Sequence, residues 1–342
     1  MKVKKLHKMH YNGVVHNISV EDNHNYVADG LLVSNCHSAK TYSINKIGKM
    51  CDNAEYRIGF TGTLQEDMND LLNIESVIGP ELINVKSDEG IEMGVISPIS
   101  IVNILLKHKQ NIVNEIFDFD KQIKDINKYI RELKDVDGSE ETVEGYKEQR
   151  TKVKQRKFRF ESDLVKSSMD RMCVFDWIFS KIPKPQNNLI LMQHIEQVKN
   201  VEQYLIDNLD DDYKVFIIYG EIKTEQREAI RKLVETEENL IIVSTYKTMS
   251  TGLNMKKLHN VIFASSYKSK ITILQSIGRG LRKSKDKQKM VLWDVIDDLS
   301  YSSSRGNLIT NYLYEHFRER LKYYVEQKFN FKTIKLEIDK LI

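Results

Sequence analysis

The chain has 342 residues, of which 41% are hydrophobic and 30% are charged, and 52 basic against 49 acidic residues leave a net charge of +3. This balance excludes a disordered chain, because enough apolar surface exists for packed cores and self-repulsion is small. The low counts of glycine (15) and proline (4) exclude collagen-like and low-complexity chains. The length predicts roughly two or three domains.

Apolar runs and cysteines exclude further classes of protein. No apolar run approaches the ~18 residues of a membrane span, and no apolar segment follows the basic start Met1–Lys5. We therefore expect no membrane contact and a cytoplasmic location. The three cysteines, Cys36, Cys51 and Cys173, are odd in number and scattered, which predicts neither a disulfide framework nor a metal site.

Residues 1–35 are predicted to form a short all-β segment. Val14–Val20 alternates in part between apolar and polar residues, and Glu21–Asn25 has the composition of a turn. Asp29-Gly30 is a hairpin-type turn before the apolar run Leu31–Val33. A segment of this size is too short to bury a core by itself.

The string from Val15 to Cys36, VHNISVEDNHNYVADGLLVSNC, resembles the C-terminal end of an intein. Because the string begins so near the start of the chain, it is similar to the C-terminal half of a split intein. The resemblance implies that residues 1–35 are excised and that a partner chain carries the N-intein. Ser34 stands where many inteins have histidine, so the group that assists the terminal asparagine is left open.

The chemistry of the splice junction fits three residue types. Cys36 can act as the nucleophile, because a thiolate is reactive near neutral pH. Asn35 can attack its own backbone carbonyl through its side-chain amide and form a succinimide. His24 can donate and accept protons in these steps, and the alternative for His24 is an ordinary turn histidine.

After Cys36 the pattern changes to alternating helices and strands. Helices are predicted at Ser38–Cys51 and Glu66–Ile78, and strands at Tyr56–Phe60 and Ile99–Leu106.

Residues 107–168 are predicted to form a helical hairpin. Apolar residues recur from Ile112 to Leu133 at alternating spacings of four and three, which is a heptad seam. Asp137-Gly138-Ser139 breaks the seam, and compatible spacing resumes from Val143 to Leu164. A long irregular helical connection is the alternative.

Residues 169–300 alternate between short apolar strands and amphipathic helices, which is typical of a doubly wound parallel sheet. The predicted strands are Asn188–Met192, Lys214–Tyr219, Asn239–Ser244, Val261–Ala264 and Met290–Trp293, and the predicted helices include Thr224–Glu235 and Ile271–Arg282. Residues 301–342 are predicted to be a helical tail, with a polar-rich helix at Asn307–Gln327.

Four strings resemble motifs of superfamily 2 helicases, and they occur in the family's order. They are Cys36-His37 with Ser38-Ala39-Lys40 (the second half of a D-E-C-H box), Thr61-Gly62-Thr63 (motif III), Ser244 to Asn254 (motif V) and Gln275 to Arg282 (motif VI, Q-x-x-G-R-x-x-R). The stretch from Ser244 to Asp298 is similar to the UvsW-type phage recombination helicases.

The resemblance implies an α/β fold of RecA-like helicase lobes with a helical hairpin insertion. Residues 36–106 would end the first lobe, and residues 169–300 would form the second. ATP and Mg²⁺ are the implied cofactors. The implied nucleotide contacts are His37, Thr61, Gly62, Thr63, Gly252 and Asn254, and the implied DNA contacts are Ser250, Thr251, Lys268 and Lys270.

Motif VI has a clear physical interpretation. Arg279 and Arg282 are three residues apart on a predicted helix and therefore share a face. Two guanidiniums placed in this way can act as arginine fingers on the β- and γ-phosphates of ATP. Gln275, one turn earlier, can orient the phosphate or the attacking water. The alternative is a basic, solvated surface helix within the run of basic residues from 268 to 289.

The printed sequence contains no G-x-x-x-x-G-K-[ST] loop, and no Asp-Glu precedes Cys36. ATP hydrolysis by this chain alone is therefore not expected. We expect a partner with a Walker A lobe and an N-intein, joined by splicing into an ATP-dependent helicase that unwinds or anneals branched DNA. The alternatives are a non-catalytic nucleic-acid-binding remnant of a disrupted helicase gene and a fragment of one contiguous intein gene.

Overall fold

The computed structural model describes residues 67–134, 136, 138–250, 255–284 and 287–341, together with residue 46 and the segments 25–28, 31–35 and 56–61. The chain divides into two compact units, residues 1–84 and residues 85–342. Within the described ranges, no helix is both long enough and apolar enough to cross a membrane.

The first unit contains a three-stranded sheet. Its described elements are β1 (Asn25–Ala28), β2 (Leu31–Asn35), β3 (Tyr56–Phe60) and α1 (Met68–Ile78). β1 and β2 pair antiparallel, and β2 and β3 pair parallel with Asn35 opposite Phe60. The Asp67 carboxylate accepts hydrogen bonds from the first backbone amides of α1 and so caps the helix.

The predictions for this unit can be checked only in part. The strand predicted at residues 56–60 is confirmed, and the helix predicted from residue 66 begins at Met68. The strand predicted at residues 14–20 lies outside the described residues. The same is true of the helix predicted at residues 38–51, except for Lys46, which is helical.

The second unit is built on a seven-stranded, fully parallel sheet. Its strands are β4 (Ile99–Lys107), β5 (Asn188–Met192), β6 (Lys214–Ile218), β7 (Leu240–Thr245), β8 (Asn260–Phe263), β9 (Met290–Asp298) and β12 (Asn330–Glu337). They lie side by side in the order β12-β4-β9-β8-β5-β7-β6. β10 (Tyr301–Ser302) and β11 (Leu308–Ile309) form a separate short antiparallel pair. The alternating strands predicted between residues 169 and 300 are thus confirmed as one parallel sheet.

Helices cover both faces of this sheet. They are α2 (Ser87–Glu92), α3 (Gln110–Leu133), α4 (Glu140–Ser167), α5 (Cys173–Lys181), α6 (Ile195–Asn208), α7 (Thr224–Thr236), α8 (Tyr246–Ser250), α9 (Lys270–Gly280) and α10 (Tyr312–Glu326). Successive residues of a strand point to opposite faces, so Ile190 packs in one core with α5 and α6, and Leu191 packs in the other with α9. Burial on both faces explains why the central strands are continuously apolar.

The structure corrects two of the predicted boundaries. β4 pairs with β9 and β12, so residues 99–106 belong to the second unit's sheet and not to the end of a first lobe. The segment from residue 301, predicted to be a helical tail, also contributes β12 as an edge strand. Both errors concern pairing between residues far apart in the chain, which local periodicity does not report.

The segment predicted to be a hairpin contains the two long helices α3 and α4, which pack along each other. Phe119 and Ile126 of α3 are buried against Val153 of α4, as the heptad spacing predicts for the first helix. The Ser139 hydroxyl donates to the carbonyls of Leu133 and of residue 136 at 2.6 and 2.7 Å and so closes the turn between the helices.

Candidate active site

The arginine helix, α9, carries Gln275 and Arg279 and ends just before Arg282. It forms because Ile273 and Ile277 are one turn apart and both are buried against the sheet. Gln275 and Arg279 are likewise four residues apart and lie on one side of the helix. Arg282 lies beyond the end of the helix and does not share its face as the sequence predicts, but it is near enough for its charge to act on Arg279.

The two arginines sit in a poorly solvated place. Arg279 is only 8% exposed, and Arg282 is half-buried. Burial, together with the charge of Arg282, lowers the pKa of Arg279 to about 10, and burial also lowers the pKa of Arg282. The site thus holds two arginines at low hydration, and the charge of Glu235 offsets part of the effect of burial on Arg282. A polyanion such as a triphosphate would offset their repulsion, whereas a solvated surface helix would not place an arginine in this way.

The end of the arginine helix is anchored at the amino edge of the sheet. The Ser97 amide donates to the Leu281 carbonyl at 2.7 Å, and Ile96 forms a β-bridge with Arg282 just before β4 begins. The Lys287 ammonium donates to the carbonyls of Gly280 (2.6 Å) and Arg282. Burial lowers the pKa of Lys287 to about 8. Lys287 thus caps the last turn from inside the protein, although it belongs to the run that the sequence alone makes look like a solvated face.

Gly280 allows the arginine helix to approach the sheet closely. A Cβ built at Gly280 would lie 2.9 Å from a methyl of Val261 and 3.0 Å from Met290, whereas at Gly278 it would meet nothing within 4 Å. We expect Gly280→Ala to lower the free energy of unfolding by about 1–3 kcal/mol, the usual cost of overpacking. The matched Gly278→Ala should raise it slightly through helix propensity. Urea unfolding of both variants checks this, and equal midpoints would contradict the packing argument.

The lysines predicted to contact DNA lie at the opposite end of the arginine helix. Lys268 is exposed in the loop after β8. Lys270 begins α9 and forms an ion pair of 2.8 Å with Glu326. Since this carboxylate already neutralises part of the Lys270 charge, Lys268 is the stronger candidate for a phosphate contact.

The hydroxyls of motif V bond to the protein itself where they are described. The Ser244 hydroxyl donates to the Ile218 carbonyl at 2.5 Å, and the Thr245 and Thr248 hydroxyls bond to each other at 2.8 Å. Ser250 is the last residue of α8. Three predicted contacts of this motif, Thr251, Gly252 and Asn254, lie outside the described residues.

The remaining predicted site residues belong to the first unit. Asn35 is the last residue of β2, and Thr61 directly follows β3. The other members of the set, His24, Cys36, His37, Gly62 and Thr63, lie outside the described residues. In the part of the chain that the structure describes, no three His, Cys, Asp or Glu side chains are grouped so that they could hold a metal ion.

Sequence reasoning missed two buried ion pairs that hold the end of β9. Asp297 accepts two hydrogen bonds from Arg171, at 2.6 and 3.0 Å, and one from His108 at 2.9 Å. Asp294 pairs with Arg320 at 2.8 and 2.9 Å. The available signal was two carboxylates inside an otherwise apolar strand, since a buried charge needs a partner. These pairs tie α10 and the 3-10 turn Asp170–Met172, just before α5, to the sheet that supports the arginine helix.

Comparisons with known proteins match part of the chain to a family model and most of it to one curated relative. Residues 171–284 match the family model of the helicase conserved C-terminal domain. The ATP-dependent DNA helicase UvsW of Enterobacteria phage T4 is 26% identical over 308 residues, which cover 88% of this chain and 54% of the relative. The chain thus spans about half the length of the curated relative that it matches.

Two solved structures share the fold at 14% identity. The DNA-bound type ISP restriction-modification enzyme LlaBIII has a TM-score of 0.55 and is matched over 91% of this chain and 22% of its own. A fragment described as an HsdR subunit of a type I restriction enzyme from Vibrio vulnificus YJ016 has a TM-score of 0.53 over 91% and 48%. These likenesses show a RecA-like parallel-sheet fold. The match to the helicase conserved C-terminal domain covers residues 171–284, which include the arginine helix.

Proposed function

We propose that residues 85–342 supply the second lobe of an ATP-dependent DNA motor that unwinds or anneals branched DNA. The observation that carries this proposal is the pair of poorly hydrated guanidiniums, Arg279 and Arg282, at the anchored end of α9. The pair lies within the segment that matches the helicase C-terminal domain.

ATP is the cofactor that this pair fits. Arg279 and Arg282 would hold the β- and γ-phosphates and stabilise the negative charge that develops on them during hydrolysis. Gln275 would orient the attacking water or the phosphate from one turn earlier. Mg²⁺, bound with the nucleotide, would supply further neutralisation of the phosphate charge. A first lobe with a Walker A loop would complete the site.

DNA is the proposed substrate because cationic and hydrogen-bonding groups cluster after the carboxyl ends of the strands. Lys268 lies there, and the N-termini of α6 and α10 point the same way because each follows a strand or a loop at this edge. Ligands of open parallel sheets bind at this edge.

A direct fusion tests the motor function without splicing. Residues 36–342 would be joined to a first lobe that carries a Walker A loop and ends in Asp-Glu, and DNA-stimulated ATP hydrolysis would be measured. We expect hydrolysis by the fusion and none by residues 36–342 alone. A well-folded fusion that binds ATP but hydrolyses none with DNA would overturn the proposal.

We further propose that residues 1–35 are the C-terminal half of a split intein, which excises itself and joins Cys36 to the partner's Asp-Glu. The hairpin pairing supports this second function: β1 and β2 align Asn25 with Ser34, and β2 ends at Asn35, the residue that would cyclise. The residue types at the junction also support it, because an amide and a thiol are what succinimide formation and transesterification require.

Asn35→Ala is expected to block release of residues 36–342 after mixing with a partner that bears the N-intein. The alanine methyl cannot attack a carbonyl, so a branched intermediate should accumulate. Mass spectrometry of the mixture checks this, with Asn25→Ala as a matched asparagine variant in the same hairpin. Complete release by Asn35→Ala would rule out the succinimide role.

A non-catalytic nucleic-acid-binding remnant is the competing interpretation. It predicts DNA binding by this chain, no ligation with any partner, and no ATP hydrolysis by the direct fusion. A ligated product and a free 35-residue peptide, gained together with DNA-stimulated hydrolysis, would exclude it.

A further inference from the structure

A cavity of about 320 Å³ lies at the carboxyl edge of the second unit's sheet. It opens where β5 continues into Gln193-His194 and where β8 continues into Ser265-Ser266. The last turns of α4 form one wall, and the first turn of α10 forms another. We call this cavity the edge pocket. It lies across the sheet from Arg279 and Arg282, which are anchored at the amino edge, so it is separate from the proposed ATP site.

Two helix N-termini line the edge pocket, and protein side chains cap both: the His194 side chain accepts from a first-turn amide of α6, and the buried Glu161 carboxylate accepts from the Leu313 amide of α10 at 3.2 Å. α6 begins at Ile195, and α10 begins at Tyr312. Gln197, in the first turn of α6, accepts hydrogen bonds from the amides of residues 193 and 194 and from the Ser265 hydroxyl, at 3.0–3.2 Å. These hydrogen bonds fix the shape of the rim, so the preference of the edge pocket for a ligand rests on its side chains.

Cationic side chains strengthen this preference. Arg159 and Lys166 of α4 both line the edge pocket. The charge of Lys166 reaches the pocket, because it adds to burial in lowering the pKa of His194. Asp163, paired with Lys166 at 3.3 Å, offsets part of this charge at the exposed rim. The wall from α4 thus offers two cations against one carboxylate.

Aromatic side chains also line the edge pocket. Phe158 and Tyr312 line it and are 48% and 38% exposed. Their ring centroids are 4.9 Å apart in an edge-to-face arrangement, and Tyr312 also meets His316 at 4.1 Å. Exposed ring faces beside cations are the elements with which proteins stack single-stranded nucleic acids.

His316 provides a polar group inside the edge pocket. Its Nδ1 hydrogen-bonds to the Ser266 hydroxyl at 3.0 Å, while its buried Nε2 has no hydrogen-bond partner among the described residues. Burial and the charges of Arg320 and Lys268 lower the pKa of His316 to about 4, so the ring is neutral at pH 7. A buried ring nitrogen without a partner is costly unless a ligand satisfies it.

We propose that the edge pocket binds one nucleotide unit of a single-stranded DNA, with the base stacked on Phe158 and Tyr312 and its edge bonded to His316 Nε2. The adjoining phosphate lies against Arg159 and Lys166. The volume, near the lower end of ~300–1,000 Å³ for small-ligand pockets, suits a single unit and not a duplex. The inference rests on the proposed DNA-binding function and specifies the place at which the protein binds one base of the DNA.

Fluorescence of 2-aminopurine tests this proposal. Single-stranded oligonucleotides with one 2-aminopurine would be titrated with the full chain, and anisotropy of an end label would report total binding. We expect quenching of 2-aminopurine at one position and a tenfold or greater loss of affinity in Tyr312→Ala and Phe158→Ala, as for lost base stacking. Arg159→Gln should weaken binding and lower the slope of log affinity against log salt by about 0.7–0.9.

Matched variants separate the edge pocket from general effects. Tyr129, on the same hairpin, is 50% exposed and stacks on Tyr146 away from the pocket, so Tyr129→Ala should keep full affinity. Lys152→Gln is the corresponding control for charge, since Lys152 lies on α4 and pairs with Glu148. Competition by free deoxythymidine monophosphate tests whether the edge pocket binds a free nucleotide or one unit of a strand. Weak competition with the labelled oligonucleotide supports binding of a strand.

Each outcome has a definite meaning. DNA binding that is unchanged in both Tyr312→Ala and Phe158→Ala overturns the edge pocket and leaves the proposed DNA-binding function intact. Absence of DNA binding by the unaltered chain overturns both. Tight binding of the free nucleotide, with no gain from a longer strand, assigns the pocket to a mononucleotide and overturns the strand proposal.

Discussion

Arg279→Ala is expected to lower DNA-stimulated ATP hydrolysis by the joined protein by about 10³–10⁵-fold, the usual effect of removing an arginine finger. The physical reason is that Arg279 is already desolvated and held by the anchored end of α9, so its charge meets the phosphates without reorganisation. A phosphate-release assay on the direct fusion checks this. Ligation and DNA binding should be unchanged, because neither uses this side chain.

Lys289→Ala is the matched control for this prediction. Lys289 belongs to the same basic run and is exposed. Removing an exposed charge should change the hydrolysis rate by less than about twofold, since solvent screens it. Equal losses in both variants would mean that net charge matters and not the position of Arg279. Unchanged hydrolysis in Arg279→Ala would remove the arginine-finger assignment.

Asp297→Ala is expected to reduce the free energy of unfolding by about 3–5 kcal/mol, because it leaves the buried Arg171 without its partner. Urea unfolding, followed by circular dichroism, measures this effect. Asp298→Ala is the neighbouring control, since Asp298 is less buried and its carboxylate caps only the Ser300 amide. Equal costs for both substitutions would contradict the ion-pair argument.

Replacing both members of the pair tests whether the stability lost in Asp297→Ala comes from leaving the charge of Arg171 without a partner. Arg171→Met combined with Asp297→Leu should recover much of the stability lost in Asp297→Ala, because no unpaired charge remains. His108 then loses its hydrogen bond to Asp297, the Ala264 carbonyl loses the one it accepts from Arg171, and both contribute to the residual loss. A double variant as unstable as Asp297→Ala would show that the cost is one of shape and not of charge.

The same pair predicts how stability depends on pH. Although burial opposes it, the attraction of Arg171 and His108 holds the pKa of Asp297 well below its ordinary value of 3.8. A carboxyl group with a depressed folded-state pKa contributes stability above its unfolded pKa and loses it as the pH falls further. The stability of the unaltered chain should therefore decline below about pH 4, and this decline should be shallower in the double variant.

The parallel sheet and the arginine helix were predictable because their signals are local. Short apolar strands between amphipathic helices define the strands from Asn188 to Asp298, and the structure confirms them. The spacing of Gln275 and Arg279 likewise places them on one side of one helix, whereas the prediction that Arg282 continues this helix is wrong, because the helix ends at Gly280 and Arg282 bridges to Ile96. The heptad spacing correctly identified the helices of residues 110–167 for the same reason.

Other features depended on partners distant in the chain. Lys287 looked like part of a solvated basic face, yet it is buried and caps the arginine helix, because the loop after α9 folds back beneath it. β12 looked like a polar tail, since only one of its faces contacts the core and its outer residues are exposed. The edge pocket combines α4, α10 and two loops, and no short stretch contains its chemistry.

The sequence by itself determined the alternation of strands and helices, since this depends on residue types at short spacing. It is also the source of two proposals, the phosphate contacts of Gln275, Arg279 and Arg282 and the splice junction at Asn35-Cys36. Only the tertiary structure decided that β4 and β12 join the second unit's sheet and that Asp294 and Asp297 are paired with Arg320 and Arg171. The physical reason is that parallel pairing and buried ion pairs join residues distant in the chain. Their free energy therefore comes from contacts that no local period encodes.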